Sequence, residues 1–121
     1  MAAQNSVSRL RRSSGFRVLD DAEVLYRLVK PLVARIRATD AQLADQLRRA
    51  ARSVVSNIAE GRNRRGGNRA KFFDEAYGSS AEVRTWLRMA VIDELLSEDS
   101  VDAAWDRADK VCASLYRAMR A

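Results

Sequence analysis

The sequence predicts an all-α protein, an up-down-up-down four-helix bundle, on three observations. Helix breakers are scarce, with one Pro and five Gly in 121 residues, against a background rich in Ala, Leu, Arg and Glu, which lose little in a helix. Apolar residues recur in steps of three and four along four separate segments, which is the spacing of one helix face. No segment shows the two-residue alternation of a half-buried strand. Short polar connections then make successive helices antiparallel neighbours.

The first residues, "MAAQNSVSRLRRSSG", are Arg/Ser-rich and acid-free. They lack the apolar segment of a secretory signal, and residues 1–15 are expected to form a disordered basic tail. The bundle domain is expected over residues 16–121.

Helix one is expected at Leu19–Ala38, with its stripe at Ala22, Leu25, Val29, Leu32 and Ile36. Pro31 lies inside it and removes one backbone donor. The stripe stays in phase across Pro31, which favours a kinked long helix over two short ones. Helix two is expected at Ala41–Glu60, stacking Leu43, Leu47, Ala50, Ala51, Val54 and Ile58. Thr39 with Gln42 has capping-box spacing and Asp40 is a rival N-cap. Gly61 is the expected C-cap, because glycine takes the left-handed conformation at low cost.

"RNRRGGN" is the next connection, with Asn68 expected to cap helix three, Asn68–Leu96. The stripe of that helix is Phe72, Phe73, Ala76, Tyr77, Val83, Leu87, Ala90 and Val91. "SEDS" forms the last turn, and Ser97 or Ser100 caps helix four, expected at Ser100–Arg120. Its stripe is Val101, Ala104, Trp105, Ala108, Val111, Cys112, Leu115 and Met119.

Composition narrows the function. There is no histidine, which removes the commonest general base and the commonest transition-metal ligand together. Cys112 is the single cysteine and falls on an apolar stripe, as a buried structural thiol does. With no partner for a disulfide, it also favours a reducing, cytoplasmic compartment. No apolar run is long enough to cross a bilayer. The acids from Asp93 to Asp109 lack the Gly-punctuated spacing of a calcium loop, and "RRGGN" lacks the Lys-Ser/Thr ending of a phosphate-cradling loop. No catalytic site, metal site or cofactor is expected, and the protein is read as a non-enzyme.

Charge carries the functional signal. The net charge is +6, and the basic residues are nearly all arginine, whose planar fork suits phosphate. From Gln46 to Lys71 the cations are Arg48, Arg49, Arg52, Arg62, Arg64, Arg65, Arg69 and Lys71, against the single acid Glu60. Arg84 and Arg88, one turn apart on helix three, are expected to extend the same surface. Such a track is an electrostatic footprint for RNA or DNA, held through phosphates and largely blind to sequence. Ser53, Ser56, Asn57, Glu60 and Gly61 form a small polar strip beside the apolar stripe of helix two. This strip is expected to permit close helix approach and hydrogen-bonded registry. The acids of helices three and four, set against this basic stretch, suggest head-to-tail association of subunits.

At "QLRRAARSVVSNIAEGRNRR" and "GSSAEVRTWLRMA" the chain resembles the bacterial four-helix-bundle family of the 23S ribosomal RNA intervening-sequence protein. That family also holds the accessory variability determinant of diversity-generating retroelements. Its pattern, roughly Q-L-R-R-A-A, S-N-I-A-E-G and G-S-L-A-E-L, falls on Gln46 to Ala51, Ser56 to Gly61 and Gly78 to Val83. Phe16 to Leu19 match the usual start. The chain departs at Ser80, where leucine is usual, and at Arg84, where an acid is frequent. The resemblance implies a non-enzymatic basic bundle assembling into a cyclic homopentamer. It implies nucleic acid, and in the retroelement branch a reverse transcriptase, as partners. "LRMA" points toward that branch and "SNIAEG" toward the intervening-sequence branch. A nucleic-acid-binding oligomer and an adaptor docking an acidic protein partner are therefore both open.

Overall fold

The computed structural model describes residues 12–120. Four helices follow one another, α1 (Arg17–Arg37), α2 (Ala41–Arg62), α3 (Gly66–Ile92) and α4 (Glu98–Arg120), with no strand among the described residues. α1 packs on α2, α2 on α3, α3 on α4, and α4 closes the ring on α1. This is the predicted up-down-up-down bundle. Residues 1–11 of the expected tail lie outside the described residues.

The predicted stripes form the core. Leu25, Ile36, Leu47, Ile58, Phe73, Leu87 and Leu115 are all fully buried, and each such side chain contributes about 1.5–3 kcal/mol relative to exposure. Phe72, Tyr77, Val91, Trp105 and Met119, also placed on a stripe, are only partly buried. Cys112 is buried, its Sγ 3.9 Å from the carbonyl of Tyr77. α1 runs unbroken through Pro31, which lies on the exposed side, where water can serve the carbonyl that loses its donor.

The ends differ from expectation in instructive ways. α1 begins earlier than predicted, at Arg17, because Ser13 Oγ and the Ser14 N–H donate to the Asp20 carboxylate at 2.6 and 2.8 Å. These bonds, the Ser13 hydroxyl first, hold the Asp20 carboxyl below the usual carboxylate range. At α2 the capping box is not used. Asp40 is the cap, accepting from the Leu43 N–H at 2.9 Å. Ser97 takes that part at α4, its Oγ accepting from the Ser100 N–H at 3.3 Å.

Gly61 does not end α2, which continues to Arg62. Its role is close approach: a Cβ there would lie 2.6 Å from the Phe73 ring and 3.1 Å from the Phe72 Cβ. α3 starts two residues before Asn68, at Gly66, whose φ of +58° is the left-handed region that favours glycine.

α3 stops at Ile92 rather than Leu96. The Leu95 N–H reaches back to the Ala90 carbonyl at 2.8 Å, and the Glu94 N–H to Val91 at 3.0 Å. These are the two bonds of a Schellman ending, with Glu94 at φ +62° where glycine is usual. Glu94→Gly is expected to raise stability by about 0.5–1 kcal/mol, the left-handed cost of a side chain less the entropy glycine adds to the unfolded chain. Urea titration checks it, and a destabilised variant would show that the glutamate relieves its own strain.

Candidate nucleic-acid interface

The densest positive charge gathers where α2 hands over to α3. Arg62 closes α2 and stands over the Phe16 ring, 5.6 Å from its centre. Arg69 lies 5.9 Å from Phe16 and 5.1 Å from Phe73, and those two rings are themselves stacked at 6.1 Å. Arg64 and Lys71 stand 5.8 and 6.0 Å from Phe72. Aromatic faces thus hold four cations at this corner through cation–π contact. Arg64 also meets Glu60 at 3.2 Å, an exposed pair that contributes little.

Arg65 is the N-cap residue of α3, yet no side chain caps the helix and its first turn holds no acid. The first backbone N–H groups of α3 therefore face outward at the positive end of its dipole. A side chain at Gly66 or Gly67 would meet nothing within 4 Å, so the backbone is open to close approach. Outward N–H donors, a glycine pair and flanking arginines form an arrangement suited to a phosphate group.

The other predicted cations divide. Arg49 and Arg52 are exposed halfway along α2 and share a shallow surface groove with Tyr26, Ser53, Val55 and Ser56. Arg48 is half-buried, its Nε without a hydrogen-bond partner among the described residues. Ten residues of helix, about 15 Å, separate Arg52 from Arg62, so these three make a second patch. Arg84 and Arg88 do not extend it. Arg84 turns to α4 and donates to Asp109 at 2.7 Å, while Arg88 sits in a groove with Glu98, Asp102 and Trp105.

Within the chain, part of the polar strip joins α2 to α3. Asn57 Nδ2 donates to Ser53 Oγ at 2.9 Å, and Ser53 Oγ pairs with Ser79 Oγ at 2.8 Å across α2 and α3. Ser56 donates back to the Ser53 carbonyl at 3.3 Å and stays exposed. Together with Gly61, Ser53 and Asn57 fix the spacing and register of the two helices that carry the corner. Ser80 does similar work on the other side of α3, fully buried and donating to the Ala108 carbonyl at 3.0 Å.

Two site residues escape sequence reasoning. The sequence marks Phe16 only as the start of the domain and of the family pattern, and it gives Tyr26 no role. Their positions beside arginines depend on the packing of α1 against α2 and α3, and no local spacing announces it.

The sequence profile described as 23S rRNA-intervening sequence protein matches residues 16–117. The chain belongs to that family. The corner, the polar strip and the whole bundle lie inside the matched span. Among solved structures, a protein of unknown function from the S23 ribosomal protein family of Bacteroides thetaiotaomicron superposes with a TM-score of 0.80 at 14% identity. The match covers 86% of this chain and 99% of that one, and at that identity it shows a shared fold. No curated protein matches the chain. Among the described residues, no helix of this family member is long and apolar enough to cross a membrane.

Proposed function

We propose that this family member is a non-catalytic, cytoplasmic RNA-binding module that holds the phosphate backbone at the α2–α3 corner. One observation carries the reading: the uncapped start of α3, with its glycine pair, is ringed by Arg62, Arg64, Arg65, Arg69 and Lys71, in a stretch from Gln46 to Lys71 whose single acid is Glu60. A backbone phosphate seated there accepts from the first N–H groups of α3, and the flanking guanidiniums take its remaining oxygens. The contacts are to phosphate and sugar, so binding is largely indifferent to sequence. The family's description, which names a ribosomal RNA insertion, supports RNA as the polyanion.

The test uses Arg64→Gln, Arg65→Gln and Lys71→Gln together, since these side chains are exposed, whereas Arg62 and Arg69 also stack on the rings that cover the core. Binding of a single-stranded RNA oligonucleotide is measured across a salt series. Each phosphate contact contributes about 0.7 to the slope of log affinity against log salt, so the triple variant is expected to flatten that slope by about 2. Circular dichroism should read parental helicity. An unchanged slope with intact helicity would overturn the reading and leave the corner to an acidic protein partner, such as a reverse transcriptase.

A further inference from the structure

Tyr26 of α1 stands at the second arginine patch, halfway along α2, and lines two surface grooves at once. One is shared with Arg49, Arg52 and Ser56, the other with Lys30, Val33 and Arg48, and no acid lines either. The first measures about 640 Å³, ample for one nucleobase. Tyr26 is half-buried and packed against the core, so its ring is held in position. At the corner, Arg62, Arg64, Arg69 and Lys71 stand over the phenylalanine rings. Among the described residues no cation stands over the Tyr26 ring. The corner covers its aromatic faces with its own cations, while the mid-helix patch keeps one for a ligand.

Patch and corner share a path. Arg49, Arg52, Ser56, Glu60 and Asn63 succeed one another at steps of three and four along α2, all of them exposed. That spacing puts them on one face of the helix. Glu60, the acid on this face, is paired with Arg64 at 3.2 Å. A strand leaving the corner therefore reaches Tyr26 along α2 without meeting an unpaired carboxylate on that face.

We propose that Tyr26 is a stacking platform for one unpaired base of the RNA, with Arg49 and Arg52 holding the phosphates that flank it. This rests on the RNA-binding reading above, and it extends the bound strand about 15 Å from the corner. Stacking needs an accessible base face, which a single strand offers and a duplex hides. The platform therefore makes the protein prefer single-stranded to duplex RNA. It does so without selecting the base, since every base has such a face.

The experiment sets Tyr26→Leu, and Arg49→Gln with Arg52→Gln, beside the parent and the corner variant. Each is titrated with the same single-stranded RNA and with its duplex across the salt series. Tyr26→Leu is expected to lower single-strand affinity about five- to a hundredfold. Its salt slope should stay parental, because a lost stack releases no counterion, and its duplex affinity should not change. The arginine pair should flatten the single-strand slope by about 1.4, two contacts at about 0.7 each. Both arginines are exposed, so this variant tests the patch even where Tyr26→Leu fails to fold. Parental single-strand affinity in Tyr26→Leu, or an equal loss on single strand and duplex, would overturn the platform. So would a parental slope in the arginine pair while the corner variant loses its own, and the corner would then stand alone. A parental slope in the corner variant would overturn the RNA reading, and the platform with it.

Discussion

Gly61→Ala is expected to destabilise the bundle by about 1–3 kcal/mol, although alanine is the better helix former by about 1 kcal/mol. The added methyl would sit 2.6 and 2.7 Å from two carbons of the Phe73 ring and 3.1 Å from the Phe72 Cβ. Neither neighbour can give way easily. Phe73 is 1% exposed and stacked on Phe16, and a Cβ moves only with its backbone. α2 and α3 must therefore separate where they carry the arginine corner. A thermal melt should fall by roughly 5–10 °C for a loss near 2 kcal/mol in a domain of this size. Phe73→Leu offers the check: it costs stability alone, but in its presence Gly61→Ala should cost much less, a coupling that separate sites do not show. A Gly61→Ala variant as stable as the parent would show that the helices part freely. Gly61 would then have no packing role.

The fate of Gly61 shows where sequence reasoning reached and where it stopped. The apolar stripes are legible because burial follows a local period, and every stripe residue of α1 and α2 lies in the core. Of the two roles the sequence suggests for Gly61, close helix approach is met and helix capping is not. Its conformational freedom is a local property, while the Phe73 ring that forbids a side chain arrives from the next helix. Helix ends are legible where a side chain caps them, as at Asp40, and not where long-range or backbone features decide. Glu94 in the left-handed region has no signal in a residue type that seldom adopts it, and α3 starts two residues before Asn68 with no side-chain cap to mark its beginning. At the site, the arginine density near "RNRRGGN" was plain, since charge is counted along the chain. Its division into a corner and a separate mid-helix patch was not. Nor was the turning of Arg84 to Asp109, 25 residues away. Long-range partners decide which charges are free to act.

A second large effect is expected where α1 meets α4. Asp21 is 6% exposed, and its Oδ1 accepts from Arg107 at 2.7 Å with Lys110 at 3.5 Å. Its Oδ2 is buried with no hydrogen-bond partner among the described residues. Removing one partner of a buried pair leaves an uncompensated charge, at a cost of about 3–5 kcal/mol when burial is complete. Here the Arg107 side chain is 31% exposed and Lys110 remains, so Arg107→Met is expected to cost about 1–3 kcal/mol in urea titrations. Asp21→Asn should cost less, because the arginine it releases can turn to water while the amide keeps a neutral acceptor in place. Most telling is Asp21→Leu with Arg107→Met. An apolar pair of similar volume needs no desolvated charge, and the double variant should recover close to parental stability. If Arg107→Met falls within about 0.5 kcal/mol of the parent, the range of an ordinary surface change, the packing of α1 on α4 does not depend on the ion pair. If the double variant stays as weak as the single, the ion pair sets the register of α1 on α4 and apolar contact cannot replace it.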